Sequence, residues 1–325
     1  MCLYTFIYIN AMQVAILGAT GCVGHNLIKK LITANEHDII AACRSENKTV
    51  KGLVSERLTW RTVNLEYPES IRDFLQGAEV LVYLVHSLKS SGFEFLDKKY
   101  AHNTGEAASK TEVKKIIYLS GIIPRHGKLS HHLKSRRETG EALAAHGISV
   151  GEVRASVLLG TCSASYRMVY YLAKRLPIMI TPKWLNSLCA PIALEDAVEV
   201  LEKLIKRDIK GHEIFEIGSD IMHYRDLLSL CGKSTHGYAN VIFPVPFLAI
   251  SLSSLWVEFV TGVPNSIARA LAESLINDSV YSNNRFKEIT GHDPKPVEYV
   301  LKECAEQMKK EREERIASFG LKKGR

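Results

Sequence analysis

The chain has 325 residues, of which 46% are hydrophobic and 24% are charged, and its formal net charge at pH 7 is +7. This composition is that of an ordinary globular protein, so it excludes a disordered, collagen-like or coiled-coil chain. Part of the positive charge lies in the C-terminal tail, and the excess is too small to indicate a nucleic-acid-binding protein.

Seven cysteines are scattered along the chain, and no two of them form a Cys-x-x-Cys pair. This spacing argues against a disulfide framework and against a metal site, and it favours a reducing compartment. The first eleven residues are apolar but lack the basic segment and the small-residue cleavage site of a signal peptide. We therefore expect a cytoplasmic protein.

The most apolar later stretch, residues 241–263, contains Pro244, Pro246 and Glu258. Its uninterrupted part, 247–257, is far shorter than the ~20 residues of a membrane-spanning helix. No transmembrane helix is therefore predicted. The stretch suits a buried helix, a pocket wall or a contact with a membrane surface.

From Gln13 onward, short β-branched runs alternate with helical patterns. The predicted elements are, in chain order, a strand at 14–17, a helix at 23–33, a strand at 39–43, a helix at 70–76, a strand at 80–85, a helix at 93–110 and a strand at 115–119. Such βαβ alternation predicts an α/β fold with a doubly wound parallel sheet of the Rossmann type.

Beyond residue 160 the alternation breaks into a mixture of helices and short strands. A strand is predicted at 149–159 before the break, and the tail from 296 to 325 is predicted to be a helix with a charged end. We divide the chain into an extension, a nucleotide-binding domain, a smaller capping region interleaved with the same fold, and a charged C-terminal helix. These four parts span 1–11, 12–160, 161–300 and 301–325.

A glycine-rich loop separates the first strand from the first helix. Glycines at this place permit a tight turn and a close approach of the backbone to a pyrophosphate, while the helix N-terminus offers unpaired N–H groups. A glycine-rich turn without a nucleotide is the alternative. The residues expected to bind the cofactor here are Gly18, Thr20, Gly21, Cys22, Val23 and Gly24.

The residues at the end of the second strand indicate which of the two nicotinamide cofactors, NAD or NADP, is bound. An acidic residue there would bond the ribose 2′-hydroxyl of NAD, whereas this strand ends in Arg44 and Ser45. A guanidinium can pair with the 2′-phosphate of NADP. NADP is therefore predicted, and the nearby Glu46 keeps NAD open as the less favoured cofactor.

Several motifs resemble the atypical short-chain dehydrogenases/reductases. These motifs are GATGCVG at 18–24, Asn64-Leu65, Val85-His86-Ser87 and Tyr118-Leu119-Ser120-Gly121. Later ones narrow the resemblance to the bacterial YbjT-like NAD(P)H-binding proteins of the NmrA-like group. They are LSHHLKSR at 129–136, LPIM at 176–179, TPKW at 181–184, FEIG at 215–218 and LSSLW at 252–256.

The resemblance implies that two polar segments line the cofactor. Asn64 and Leu65 would lie at the adenine edge, although an Asn is more commonly a turn residue. Val85, His86 and Ser87 would lie beside the ribose and nicotinamide, at the carboxyl ends of the strands. Ordinary loop polarity is the alternative for His86 and Ser87.

Reductases of this superfamily use a Ser with a Tyr-x-x-x-Lys pair as their catalytic residues. Tyr170 and Lys174 have that spacing, but they follow Ser120 by a further strand and therefore fall on the wrong helix. The helix directly after Ser120 offers His132 and Arg136 with the same geometry.

We predict that Ser120 orients a carbonyl, His132 donates a proton and Arg136 holds the cofactor. A cofactor-binding sensor or scaffold without turnover is the alternative function, and a solvated helix face is a third interpretation. A nucleotide-sugar epimerase is disfavoured by the missing Tyr-Lys pair. The apolar side chains of the second half, Met168, Tyr171, Met179 and Trp184, indicate a bulky apolar, aromatic or quinone-like small-molecule substrate.

Overall fold

The computed structural model describes residues 11–45, 49, 50, 52–88, 90, 92–127, 129–245, 258–274 and 276–322. Residues 1–10 of the expected extension and the apolar segment 246–257 lie outside these residues, as does Glu46.

A seven-stranded parallel sheet forms the centre of the fold. The strands of the described residues are β1 (Gln13–Leu17), β2 (Asp38–Cys43), β3 (Leu58–Thr62), β4 (Val80–Tyr83), β5 (Lys115–Gly121), β6 (Ser149–Ala155), β7 (Leu158–Leu159), β8 (Ile178–Pro182), β9 (Leu188–Cys189), β10 (Ile192–Ala193), β11 (His212–Ile217), β12 (Met222–His223) and β13 (Val241–Val245). The order across the large sheet is β11-β6-β5-β4-β1-β2-β3, with every neighbouring pair parallel. The predicted doubly wound Rossmann sheet is confirmed.

Helices cover both faces of this sheet, which explains why its strands are nearly continuous runs of apolar residues. The helices are α1 (Cys22–Ala34), α2 (Pro68–Leu75), α3 (Phe93–Ala108), α4 (His131–Ala144), α5 (Ala164–Arg175), α6 (Leu194–Lys206), α7 (Tyr224–His236), α8 (Asn265–Ser274), α9 (Phe286–Thr290) and α10 (Val297–Lys322). One face is packed by α1 and α6, and the other by α2, α3 and α4. The carboxyl ends of the strands remain as the edge where loops can form a site.

The second half of the chain builds a core of its own from α5, α7 and α10. Met168 and Met179 are almost fully buried in this core. Packing therefore accounts for the apolar character of these two residues, and the bulky apolar substrate stays a prediction. Tyr171 packs at the margin of the same core, and the side chain of Trp184 lies outside the described residues.

Most predicted elements of the first half match the structure to within one or two residues, but one predicted strand is divided. The strand expected at 149–159 is interrupted, because β6 pairs within the large sheet whereas β7 pairs with β10. The helix expected in the tail is present as α10. Since β11 completes the large sheet beside β6, the two halves share one sheet, and the domain limits drawn from the sequence stay predictions.

The expectation that the cysteines form no disulfide is wrong for one pair. Cys22 and Cys162 are bonded, with their Cα atoms 5.5 Å apart and a sequence separation of 140 residues. The bond joins the first residue of α1 to the loop between β7 and α5. Spacing along the chain gave no sign of it, because the fold brings both segments to the carboxyl edge of the sheet. None of the described helices is long and apolar enough to cross a membrane.

Candidate cofactor and catalytic site

Close backbone contacts shape the loop between β1 and α1. Gly18 has φ of +85°, and a Cβ atom there would lie 2.8 Å from the carbonyl oxygen of Leu84. A Cβ on Gly24 would lie 2.4 Å from the carbonyl oxygen of Gly18. Both positions therefore require glycine, and the loop keeps the shape of a phosphate-binding turn.

The N-terminus of α1 is available for an anion. Helix α1 begins at Cys22 after the capping Gly21, and its first turn contains no acidic residue. The first N–H groups of a helix lack intrahelical partners, and the helix dipole favours negative charge beside them. Thr20 and Gly21 are exposed at this point and Val23 is half-buried. The cradle suits a dinucleotide pyrophosphate, and the disulfide at Cys22 leaves its backbone N–H in place.

Arg44 and Ser45 follow β2 at the carboxyl edge of the sheet. Arg44 is exposed and Ser45 half-buried. The Arg44 charge lies close enough to Tyr100 to oppose the rise in its pKa, which burial and Glu66 bring to about 12. The Arg44 guanidinium thus lies near Tyr100 of α3, after the end of β2, where a 2′-phosphate would be expected to bind.

Asn64 and Leu65 form a turn after β3. The Asn64 Oδ1 accepts from the Glu66 N–H at 3.0 Å, and the Asn64 N–H donates to the Ser70 Oγ at 3.0 Å. The Leu65 carbonyl accepts from the Asn103 side chain at 2.9 Å. The turn function of Asn64 is therefore present, and the adenine contact stays a prediction.

His86 and Ser87 lie just beyond β4, where Val85 packs against the sheet core. The His86 Nδ1 is 2.6 Å from the Asp97 Oδ2, and the Ser87 N–H donates to the Asp97 Oδ1 at 2.8 Å. On its other side, the His86 Nε2 is 3.1 Å from the His132 Nδ1. Ordinary loop polarity does not account for His86, because both of its ring nitrogens are engaged.

Asp97 is the site residue that the sequence analysis missed. It lies on the inner face of α3, is 3% exposed, and also accepts from the Ser135 Oγ at 3.2 Å. The available signal was an acidic residue on the buried face of a helix that directly follows the His86-Ser87 segment. A buried carboxylate needs hydrogen-bond partners, and such partners are rarely close in sequence.

Strand β5 lies against the first turns of α4, where a Cβ atom on Gly121 would lie 3.0 Å from the Leu133 Cδ2. The Tyr118 hydroxyl donates to the Arg136 carbonyl at 3.1 Å. From Tyr118, β5 advances by ~6.6 Å to Ser120 on the same strand face. Helix α4 runs antiparallel to β5 in the crossover, so four residues back from Arg136 to His132 move ~6 Å in the same direction. The end of β5, which carries Ser120, therefore packs against the first turns of α4, which carry His132.

The hydroxyl of Ser120 is buried beside the Tyr118 phenol, whose pKa it helps to lower, but it makes no hydrogen bond of ordinary geometry with the described residues. A buried hydroxyl without a well-formed hydrogen bond is suited to engage a ligand. Arg136 is half-buried in the adjoining turn of α4, where its Nη1 donates to the Leu119 carbonyl at 3.5 Å. Together with the glycine cradle, these groups fit a nicotinamide cofactor and a carbonyl substrate at this edge.

Burial and charge set the protonation of this cluster. Burial, followed by the Arg136 charge, lowers the pKa of His86 to about 4 against the opposing effect of Asp97. Burial, followed by Arg136 and His86, holds the pKa of His132 well below its ordinary range. Burial alone would raise the pKa of Asp97, but its hydrogen bonds from His86 and Ser87, together with Arg136, lower it. At neutral pH the cluster therefore contains a carboxylate and two uncharged imidazoles.

The Tyr170-Lys174 pair lies elsewhere, as its position in the sequence predicts. Tyr170 is 2% exposed in the core of the second half, and the Lys174 Nζ donates to its hydroxyl at 2.9 Å. The pair resembles the Tyr-Lys pair of the superfamily in spacing alone.

Comparison with known proteins supports the nucleotide-binding half and the fold. Residues 18–159 match a family model described as NAD(P)H-binding. Residues 18–159 are therefore similar in sequence to NAD(P)H-binding proteins. No curated protein sequence matches the chain.

Solved structures share the fold over nearly the whole chain. The NADPH-dependent quinone oxidoreductase of Escherichia coli, in complex with NADPH, is 20% identical with a TM-score of 0.70, covering 89% of this chain and 98% of that one. The triphenylmethane reductase of Citrobacter sp. is 16% identical with a TM-score of 0.73, covering 91% and 100%. A nucleoside-diphosphate-sugar epimerase of Staphylococcus aureus is 18% identical with a TM-score of 0.71, covering 90% and 100%. At these identities the likeness concerns the fold, which both reductases and epimerases use.

Proposed function

We propose that this protein is an NADP(H)-dependent oxidoreductase of the atypical short-chain dehydrogenase/reductase type, similar to the YbjT-like members of the NmrA-like group. The match of residues 18–159 to an NAD(P)H-binding family supports the cofactor class. The observation that supports the reaction is the packing of the end of β5, which carries Ser120, against the first turns of α4, which carry His132 and Arg136.

Each of these residues has a distinct role in carbonyl reduction. NADPH supplies the hydride when it is bound. Ser120 donates from its hydroxyl to the carbonyl oxygen and orients it, and His132 delivers the proton to that oxygen. Arg136 holds the ribose or phosphate of the cofactor through its guanidinium.

NADP is the proposed cofactor because an exposed guanidinium follows β2. Arg44 can form a charge-assisted contact with a 2′-phosphate, and that contact is absent with NAD. The nicotinamide side of the site would be formed by Val85, His86 and Ser87, and the adenine side by Asn64 and Leu65. The pyrophosphate would lie on the loop from Gly18 to Gly24.

The proposed substrate is a bulky apolar or aromatic carbonyl, or a quinone. The side chains at the reacting edge supply the hydroxyl of Ser120, two uncharged imidazoles and the cation Arg136, whereas the carboxylate of Asp97 is already bonded and Arg154 is paired with Glu152. Recognition of a nucleotide sugar would require more charged groups. Two similar folds belong to a quinone oxidoreductase and a dye reductase, which is consistent with this class.

A cofactor sensor without turnover is the second candidate. The observation in its favour is that burial and Arg136 hold the pKa of His132 well below its ordinary range, so the imidazole has no charge at neutral pH. We place either protein in the cytoplasm, because Cys189, Cys231 and Cys304 are buried thiols, although Cys22 and Cys162 are bonded to each other.

Calorimetric titration with NADPH, NADP and NADH tests the cofactor assignment, and turnover of quinones and aromatic carbonyls tests the reaction. Tight NADPH binding with NADPH consumption is the expected result. Tight binding without consumption of any substrate would favour the sensor, and the absence of binding would contradict both candidates.

A further inference from the structure

Asp97, His86 and His132 form a hydrogen-bonded chain that leads from a buried carboxylate to the candidate proton donor. The two links are 2.6 Å between Asp97 Oδ2 and His86 Nδ1 and 3.1 Å between His86 Nε2 and His132 Nδ1. The imidazole rings are 4.9 Å apart with an interplanar angle of 38°. Each link joins a ring nitrogen to a single partner, so the position of one proton determines the next.

The chain fixes both tautomers when the imidazoles are uncharged. The Asp97 carboxylate can only accept, so the His86 Nδ1 carries a proton and the His86 Nε2 has a lone pair. The His132 Nδ1 must then donate to that lone pair, which leaves the His132 Nε2 without a proton. In this resting form His132 accepts a proton at Nε2, and it cannot act as the donor that carbonyl reduction requires.

We propose, on the basis of the proposed reductase function, that His86 is a proton reservoir that converts His132 from an acceptor into a donor, with Asp97 as its counter-ion. One added proton makes His86 an imidazolium that donates from Nε2 to the His132 Nδ1. His132 then carries its single proton on Nε2 and faces the substrate as an uncharged donor. Asp97 and His86 act through His132 and are therefore positioning residues.

The proton transfers balance in each turnover. As the hydride reaches the carbonyl carbon, the O–H bond forms with the Nε2 proton of His132. The His132 Nδ1 simultaneously gains the Nε2 proton of His86, which becomes neutral. One proton taken up from solvent reloads His86, and the reverse sequence would remove the proton of an alcohol.

The charges around the pair place the added proton on His86 rather than on His132. From α3, the Asp97 carboxylate faces His86 directly, and the edge of the His86 ring meets Phe93. From α4, the cation Arg136 disfavours charge on both rings, while Ser135 bonds Asp97. The buried phenols of Tyr83 and Tyr118 lie beneath the cluster and remain neutral, because burial raises the pKa of each. His86 is therefore the ring with a compensating anion.

If the Asp97–His86 pair were only structural, it would require fewer hydrogen-bond partners than the structure contains. Asp97 could be satisfied by Ser87, Ser135 and one imidazole, with no second imidazole aligned on the far nitrogen of the first. The alignment of His132 on His86 adds nothing to the burial of Asp97. It does extend the chain from Asp97 on α3 to the first turn of α4, which packs against the end of β5.

The first test reads the tautomers directly and needs no substrate. Nitrogen-15 NMR of the full chain identifies which ring nitrogens carry protons, through their couplings to the ring hydrogens. Near pH 8 we expect protons on Nδ1 of both His86 and His132. On acidification, His86 should become doubly protonated while His132 changes to its Nε2–H tautomer. A His132 that carries its proton on Nε2 while His86 is uncharged, or that becomes charged first, would overturn the proposal.

The second test measures turnover against pH in Asp97→Asn, with Glu94→Gln as its control. Glu94 is the acid one turn earlier on α3, and it pairs at 2.6 Å with His131, whose side chain is 73% exposed. Both variants replace a carboxylate by its amide. Asp97→Asn should lower kcat for reduction at pH 7 by roughly 10²-fold or more and move the alkaline limb of the profile to lower pH, because His86 loses its counter-ion, with NADPH binding unchanged. Glu94→Gln should match the wild-type profile.

His86→Gln provides a second variant in case Asp97→Asn fails to fold, and it should lose reduction to a similar extent. Turnover with an unchanged pH profile in both variants would overturn the relay and leave the reductase function standing. Absence of all turnover would contradict the reductase function, and the NMR result alone would then decide the proton chain.

Discussion

Gly24 and Gly18 are packed so tightly that a Cβ atom at position 24 would lie 2.4 Å from the Gly18 carbonyl oxygen. At Gly21 the nearest atom to such a Cβ is the same oxygen, at 3.2 Å. Gly24 therefore allows the loop to pack closely against the start of α1, whereas Gly21 faces more open space.

Valine at either position should abolish NADP(H) binding, but for different reasons. Gly24→Val must displace the loop itself and should also lower the midpoint of thermal unfolding. Gly21→Val should keep the wild-type midpoint, because its side chain occupies the space where the pyrophosphate approaches. Calorimetric titration and thermal unfolding measure the two effects. Retained affinity in a folded Gly21→Val variant would remove the loop from the site.

The wild-type protein should bind NADP(H) more tightly than NAD(H), and Arg44→Asp should reverse that order. A charge-assisted phosphate contact contributes about 1.5–3 kcal/mol, which corresponds to roughly 10- to 100-fold in affinity. Arg57→Asp is a matched control, because Arg57 pairs with Asp38 at 3.6 Å near the opposite end of β2. Equal affinity of the wild-type protein for both cofactors would contradict this assignment.

His132→Ala should lower turnover by roughly 10²–10⁴-fold while cofactor binding is kept. Tyr170→Phe is its control and should change turnover little, since Tyr170 is packed in the core of the second half. Steady-state kinetics with calorimetric binding separate the two contributions. If Tyr170→Phe lost activity and His132→Ala kept it, Tyr170 rather than His132 would be the proton donor.

Acid should destabilise the fold through the buried imidazoles. The pKa of His86 is lowered to about 4 from an ordinary value of 6.5, so the folded protein binds fewer protons than the unfolded chain between those values. The contribution to stability is complete above pH ~6.5 and is lost as the pH falls toward ~4, by about 2 kcal/mol between pH 7 and 5. Urea unfolding at both pH values should show that His86→Gln reduces this loss.

The matched control for acid sensitivity is His131→Gln, which removes an exposed imidazole from the same helix as His132. This variant should lose as much stability as the wild type on acidification. Equal acid sensitivity of the wild type and His86→Gln would contradict the burial of an uncharged His86.

The Cys22–Cys162 bond should stabilise the fold by about 2–5 kcal/mol, because it closes a long loop between the two halves. A reductant should therefore lower the unfolding midpoint of the wild type but leave Cys162→Ser unaffected. Alkylation under denaturing conditions should modify both cysteines only after reduction. Modification without reductant would show that the bond does not form and would contradict this prediction.

The fold and the cofactor loop could be predicted from the sequence because each of their signals depends on residues that are neighbours in the chain. The apolar strand at 14–17, the glycines that follow it and the helix beyond them are adjacent in sequence, and the structure contains each of them. His132 and Arg136 could be found in the same way, since a helix fixes their spacing.

Long-range contacts escaped the sequence analysis. Asp97 meets His86 and Ser135 from separate elements, and Cys22 meets Cys162 across 140 residues of sequence. Met168 and Met179 could not be assigned to the core from the sequence, because an apolar side chain has the same pattern in a core as in a pocket wall. Only the packed structure distinguishes these cases.

The most direct test of the proposed function is the consumption of NADPH by the wild-type protein with apolar quinones and aromatic carbonyls, followed by the nicotinamide absorbance. The account predicts that at least one compound is reduced with one NADPH consumed per product, and that NADPH supports faster turnover than NADH. Tight NADPH binding with no consumption for any compound would contradict it and identify the protein as a cofactor-binding sensor.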